Sequence, residues 1–276
     1  MFLTKIQWEP STVIFKIGSF GIHYYSLMFV VAFFLGYNIM KKMYLKEKVS
    51  IEPLETMLTY IVISTLLGAR LGHVLFYDWA YYQTHLIEIF LPITTQPNGG
   101  YSFVGFRGLA SHGAAIGILT GIILYQKNHS YKPLAWILDR LIIPTTLGAG
   151  FVRVGNFFNS EIVGNYTGNN FGVVFVNRGE ILPRHPAQLY EAIAYFALYF
   201  FLRYLYNKGL SKRKDGFLLG VFMAILFSIR FLVEFVKESQ GGFETALPAL
   251  STGQWLSIPL ILAGLILIFR THSKTE

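Results

Sequence analysis

The chain of 276 residues has no cysteine. Disulfides, a thiolate nucleophile and cysteine-held metals are therefore excluded. Charge is scarce as well: 14% of the residues are Asp, Glu, Lys or Arg, where a soluble domain carries about a quarter. The seven histidines fall into no HExxH or other metal-ligand spacing, and no GxSxG elbow or Walker loop occurs. Metal hydrolysis and acyl-serine chemistry thus lack residues to carry them, and neither a metal nor a cofactor is expected. There is no heptad array, low-complexity tail or internal repeat. What fills the chain is apolar: 53% hydrophobic residues and a mean hydropathy of +0.47, gathered in long uninterrupted runs. A water-soluble globule, a disordered chain and a coiled coil are ruled out. With about 20 apolar residues per hydrocarbon crossing, the length accommodates about seven. The expected fold is an all-α polytopic membrane protein forming a single transmembrane domain over residues 1–276.

Crossings are predicted near residues 20–40, 57–77, 103–125, 134–152, 187–206, 216–235 and 253–269. The N-terminus reaches Trp8, Glu9 and Pro10 before any sustained apolar run, so no cleaved signal is expected. The net charge of +8 is a topology signal rather than a nucleic-acid footprint, because the basic residues gather in short loops without an aromatic-interleaved stripe. One set of loops holds Lys41, Lys42, Lys46, Lys48, Lys127, Lys132, Lys208, Lys212, Arg213, Lys214, Arg270 and Lys274. The other holds Lys5, Lys16, Arg178, Arg184 and Lys237. Twelve against five places the first set, and the C-terminus, on the inner side, with the N-terminus outside. Two outer loops exceed hairpin length. Residues 78–102 contain an apolar stub at 85–92 suited to the interface, and residues 153–186, rich in Gly and Asn with a strand-like run at 171–176, are expected to form a small cap.

Polar groups in hydrocarbon are costly and call for a partner or a function. On this topology they cluster toward the outer helix ends: His23 and Tyr25, Arg70 and His73, His112, Arg153 and Asn156, Gln188 and Glu191, Arg230 and Glu234, and Gln254. Interfacial snorkelling accounts for any one of them but less well for the joint pattern, which suits a lipid-facing site. Arg230 and Glu234 lie four apart on one helix face and can form an intrahelical ion pair. Arg153 stands in GAGFVRVGNFFNSEIVG (148–164), which has no acidic residue before Glu161. Its glycines and asparagines suggest a chain leaving helix, with exposed amides beside an arginine as an anion site. Gly113, Gly117 and Gly121, spaced by four, suit close helix packing, and the small residues around His112 leave space for chemistry. Asp139 and Arg140 sit apart in the inner half of their helix and read as structural. An anionic-lipid transporter would use the same arginines, but it needs polar groups at both depths. A membrane scaffold would not need so many costly ones.

Seven segments together resemble the bacterial prolipoprotein diacylglyceryl transferase family: HYYSLMF (23–29), GARLGHVLFY (68–77), SHGAAIG (111–117), the 148–164 block, RHPAQLYE (184–191), IRFLVEF (229–235) and TGQWLSIP (252–259). They follow the family's order over nearly the whole chain. By this resemblance the family's essential tyrosine falls on Tyr25 and its essential histidine on His112. Its signature arginine and asparagine fall on Arg153 and Asn156, followed by Glu161 and Gly164, and its two charged positions near the end fall on Arg230 and Glu234. Ser111 precedes the histidine where many members have phenylalanine, Ala114 replaces a second glycine, and Asn159-Ser160 stands for asparagine-glycine. These departures alter packing more than charge. The resemblance implies transfer of diacylglyceryl from phosphatidylglycerol to the lipobox cysteine thiol of a prolipoprotein signal peptide, releasing glycerol phosphate. It also implies a place in the bacterial inner membrane, with membrane lipid but no nucleic acid as partner. On this reading Arg153 and Arg230 hold phosphate, Glu234 orients Arg230, Tyr25, Asn156, Glu161 and Gly164 form the lipid site, and His112 takes the thiol proton.

Overall fold

In the computed structural model, the structure describes residues 5–17, 20–96, 98–103, 108, 110–129, 131–209, 215–239 and 249–272. Lys212, Arg213, Lys214 and Lys274 of the inner basic set lie outside the described residues. Helices dominate, since a backbone in hydrocarbon must satisfy its own N–H and C=O groups. The long ones are α1 (Tyr24–Lys46) and α2 (Glu52–Phe76), then, after two single-turn helices, α3 (Trp79–Tyr82) and α4 (Ile87–Phe90), α5 (Ser111–His129), α6 (Leu134–Phe158), α7 (Ala187–Asn207), α8 (Phe217–Val233) and α9 (Thr252–His272). Each predicted run has one long helix as its counterpart. The third of these, α5, starts at Ser111 rather than 103, since residues 101–103 are strand; residues 104–107 and 109 of that run lie outside the described residues. Among the described residues α1, α2, α6 and α9 are long and apolar enough to cross a membrane, and α8 is a shorter apolar helix. Phe34, Leu66, Leu119, Phe200, Leu262 and Phe269 point outward and exposed, as lipid-facing residues do. The chain is a mostly helical, multi-pass membrane protein.

Two compact units are distinguishable, residues 1–43 with 134–276, and residues 44–133. In the first, α6, α7 and α8 enclose a core of Ile142, Ile143, Leu198, Leu202, Leu218 and Val221. Asp139, fully buried on α6, accepts the N–H groups of Gly216 and Leu219 at 2.8 Å each. It caps α8, whose own N-cap residue is Gly216 in a left-handed conformation (φ 98°) with no side chain to do so. The structural reading of Asp139 holds, and its partner is on a neighbouring helix. Helices α8 and α9 meet where a Cβ on Gly220 would stand 2.9 Å from the Gly264 carbonyl oxygen.

Short strands lie before and between the long helices. Strand β1 (Ile6–Trp8) pairs in parallel with β6 (Val173–Phe175), at the strand-like run expected in the cap, and β2 (Val13–Ile17) forms a hairpin with β3 (Phe20–His23). The first helix therefore starts at Tyr24, four residues later than expected, because residues 20–23 are already paired as strand. The Trp8 indole donates to the Phe157 carbonyl at 3.0 Å and its ring lies 4.3 Å from the Phe157 ring, closing a small cluster with Val163, Val173 and Phe175.

In the second unit, α2 and α5 pack backbone to backbone. A Cβ on Gly72 would lie 2.6 Å from the Gly113 Cα, and one on Gly117 would collide with the Ser64 carbonyl. The fourfold glycine spacing is a packing surface, as read from the sequence. Between these helices runs α3, α4 and a hairpin of β4 (Ile93–Thr95) with β5 (Tyr101–Phe103). The apolar stub is thus the single turn α4 plus a connection to strand. Gly117→Val should destabilise the folded protein by about 3 kcal/mol, the cost of overpacking. Gly148→Ala, whose Cβ would meet Ala32 at an ordinary 3.5 Å, should be neutral or stabilising by about 0.5–1 kcal/mol, since alanine favours helix. Thermal unfolding in detergent checks both.

Candidate active site

Arg153 and Asn156 lie within α6, which continues to Phe158; they do not follow its end. The expected break from helix is displaced because the glycines serve neighbouring helices. A Cβ at Gly150 would stand 2.5 Å from the Phe196 ring on α7, and one at Gly155 2.7 Å from the Tyr25 ring on α1. The helix stays intact and lets Tyr25 and Phe196 approach its backbone. Three residues apart on one face, Arg153 donates from Nη1 to Asn156 Oδ1 at 3.1 Å. Asn156 in turn donates to Glu161 Oε2 at 3.3 Å, and Asn159 donates to Glu161 Oε1 at 3.2 Å. These bonds fix which way the Asn156 amide points, leaving its carbonyl toward Arg153 and its amide group toward Glu161. Tyr25 presents its hydroxyl to the Asn156 side chain, with Arg153 and Glu161 close enough to act on it.

The acidic partner of Arg153 is Glu191, on the first turns of α7. Its Oε2 stands 2.5 Å from Arg153 Nε, an ionic approach rather than an aligned hydrogen bond, and its Oε1 stands 3.8 Å from Arg230 Nη1 on α8. Tyr195 donates to the same Oε1 at 3.2 Å. One carboxylate, 1% exposed, thus serves two guanidiniums that are 13% and 29% exposed. One turn earlier, the fully buried Gln188 donates to the Glu161 backbone carbonyl at 2.5 Å, so α7 fixes both the arginines and the loop that holds Asn156.

Glu234 lies near enough to act on Arg230 but makes its closest contacts elsewhere. It caps the C-terminus of α8; its carboxylate receives Lys237 Nζ at 3.3 Å and lies against Gly253, where a Cβ would stand 2.6 Å from it. Gly253 opens α9, so the carboxylate faces the positive end of that helix, and no ion pair joins it to Arg230 among the described residues. Gln254 is likewise accounted for. It and Ser251 exchange bonds as a capping box (Ser251 N to Gln254 Oε1 3.0 Å, Gln254 N to Ser251 Oγ 3.2 Å), and its amide reaches the Phe231 carbonyl on α8 at 3.3 Å.

Gly164 lies where the cap crosses the end of α8. A Cβ there would come within 2.6 Å of His185 and of the Val236 carbonyl, and Gly164 bridges to Lys237. The crossing is locked by Arg184, which donates from Nη1 to the Gly164 carbonyl (3.1 Å), pairs with Glu180 (2.9 Å) and Glu238 (3.0 Å), and lies 3.9 Å over the Tyr166 ring. RHPAQLYE is therefore a two-ended motif: its arginine holds the cap and its glutamate holds the site arginines.

His112 and the Arg70 group belong to the second unit. His112 is exposed in the first turn of α5. Arg70 is buried; its Nε donates to the Ile89 carbonyl at 2.8 Å, another nitrogen reaches the Glu88 carbonyl, and its guanidinium stacks on Tyr82 at 4.8 Å. The Glu88 carboxylate accepts the Thr95 hydroxyl (2.6 Å), the Thr95 N–H (2.8 Å) and the Tyr81 hydroxyl (2.8 Å). Burial pushes its carboxyl up, and these bonds outweigh burial and hold it below the ordinary value. Arg70 is thus a structural pin for the segment between α2 and α5.

Tyr25, Arg153, Asn156, Glu161, Glu191 and Arg230 form one connected polar group in the first unit, able to present two guanidiniums to an oxyanion. Fold and site define a multi-pass membrane protein with a paired-arginine polar centre. A family model described as prolipoprotein diacylglyceryl transferase matches residues 12–270, and the chain belongs to that family. It is 42% identical to the phosphatidylglycerol–prolipoprotein diacylglyceryl transferase of Tolumonas auensis (95% of each chain), 39% identical to that of Bacteroides fragilis (97% of this chain, 95% of the relative) and 41% identical to that of Chloroherpeton thalassium (98% and 96%).

Glu180 ties the cap to pH. Burial pushes its carboxyl up, but the Tyr166 hydroxyl and Arg184 outweigh burial and leave it below the ordinary value. A carboxyl lowered by folding contributes stability above its ordinary value and loses it as pH falls through the lowered one. The melting temperature of the purified protein should be flat from pH 8 to about 5 and fall in stronger acid. Glu180→Gln should melt lower at neutral pH and lose less on acidification.

Proposed function

We propose that this chain transfers the diacylglyceryl group of phosphatidylglycerol to the lipobox cysteine thiol of a prolipoprotein. The thiol sulfur attacks the glyceryl carbon bonded to phosphate, and a carbon–sulfur bond replaces the carbon–oxygen bond. The electron pair leaves on the phosphate oxygen as glycerol phosphate. A free thiol has a pKa near ~8.5, so a proton acceptor assists, and His112 takes that role, directly or by holding the lipid or a water. Arg153 and Arg230 grip the phosphate oxygens, where planar forks that keep their charge suit an anion gaining charge. Asn156 and Tyr25 place the headgroup, Glu161 fixes Asn156, Gly164 lets the cap close over the end of α8, and Glu234 joins α8 to α9. The observation that supports this reading is the pair of partly exposed guanidiniums gathered on one buried carboxylate.

The protein works in a bacterial inner membrane with seven crossings, a periplasmic N-terminus, a cytoplasmic C-terminus and the cap between α6 and α7 on the periplasmic side. Support comes from the family and from the twelve-to-five split of basic residues. Both substrates enter sideways from the outer leaflet.

Purified protein given labelled phosphatidylglycerol and a lipobox peptide should form the thioether. Lipid movement without thioether would overturn the proposal. Arg153→Lys should fold normally yet lose about 100-fold in transfer, since a point charge lacks the two-pronged contact. His112→Ala should lose activity most at low pH, where little thiolate forms unaided; unchanged transfer would remove its role as base.

A further inference from the structure

The site holds more positive charge than it displays. Its two guanidiniums carry +2, and the Glu191 carboxylate brings the trio of Arg153, Arg230 and Glu191 to +1. Of the other acids nearby, Glu161 is exposed, so that water and salt screen its charge, and Glu234 is matched by Lys237. Glu191 is also the least exposed member, far less so than Arg153 and Arg230. A group so placed does not meet a ligand that the arginines meet first. It does occupy Arg153 Nε and attracts Arg230, and so competes with whatever anion the guanidiniums hold.

We infer that Glu191 is a positioning residue and counter-charge that sets this site for a phosphodiester over a phosphomonoester. The inference rests on the proposed transfer reaction only for what arrives and what leaves. A phosphodiester carries −1 and neutralises the +1 group. A phosphomonoester carries nearly −2 at neutral pH and leaves an excess negative charge in a site of low dielectric, where such an excess is strongly felt. Substrate is thereby held and product is turned out. A site with both arginines and no Glu191 would be a product trap. Tyr195 supports the arrangement by donating to Oε1, so that the carboxylate presents one oxygen to each arginine.

The test compares two headgroup mimics in detergent-solubilised protein by calorimetry at pH 8: glycerophosphoglycerol, a monoanionic diester, and glycerol phosphate, a dianionic monoester. The wild-type chain should bind the diester at least as tightly as the monoester, despite its smaller charge. Glu191→Gln should reverse the order by tightening glycerol phosphate about tenfold or more, and should lower kcat with no rise in KM for phosphatidylglycerol. Glu191→Asp keeps the charge and should keep the wild-type order while losing kcat, because the shorter arm reaches one arginine less well. Tenfold tighter monoester binding by the wild-type protein overturns the inference whether or not the Gln variant folds. So does a Gln variant whose monoester affinity is unchanged or weaker. Loss of thioether formation with the diester preference intact would refute the proposed reaction and leave the role of Glu191 standing.

Discussion

The contact between Arg153 and Glu191 is the one on which the rest of the first unit converges. A carboxylate at 1% exposure is tolerable only beside cations, since a lone buried charge costs several kcal/mol. That requirement sets α6 against α7 and draws in Arg230 from α8. The surrounding features serve this geometry. Gly150 admits Phe196 so that α7 can come close, Gly155 admits Tyr25, and Gln188 ties the loop after α6 to the same face of α7. The cap contributes through Arg184, which lies seven residues before Glu191 and holds the Gly164 crossing.

Close approach through glycine is the general device of both units. In lipid there is no hydrophobic drive to press helices together, and association relies on packing and buried polar bonds. Helices α2 and α5 use glycine on both sides, α8 and α9 use Gly220 and Gly264, and α6 and α8 are joined by a charge, with Asp139 taking two N–H groups at the start of α8. Each is a short-range contact that admits little adjustment, which suits a scaffold holding polar groups at fixed positions.

The helices were legible because an apolar run of crossing length has few other solutions. Arg153, Asn156, Glu161 and Arg230 were legible as polar residues in costly places, and the structure joins them into one group through Glu191. The connections were harder to read. Glu191 stands in a visible motif, but its partners lie 38 and 39 residues away, and such a pairing leaves no periodic trace. The glycines of the 148–164 block resembled a helix exit, because sequence alone does not distinguish a glycine that frees the backbone from one that admits a neighbouring ring. The i,i+4 spacing of Arg230 and Glu234 suggested a pair, yet Glu234 falls at the helix end, where Lys237 and the start of α9 are nearer. The three-residue strand β1 was invisible, being too short for alternation to register and paired with a segment more than 160 residues distant.

That last pairing has a consequence for biogenesis. Ile6 has its partner in Val173, which the ribosome adds roughly 10–30 s later at ordinary elongation rates of about 5–20 residues per second. Through that interval an edge strand carrying Trp8 has no mate, while α1, α2, α5 and α6 are already made. Completion of the cap is thus a late step of assembly, and it buries the Trp8 indole against Phe157 only after most of the bundle has been translated.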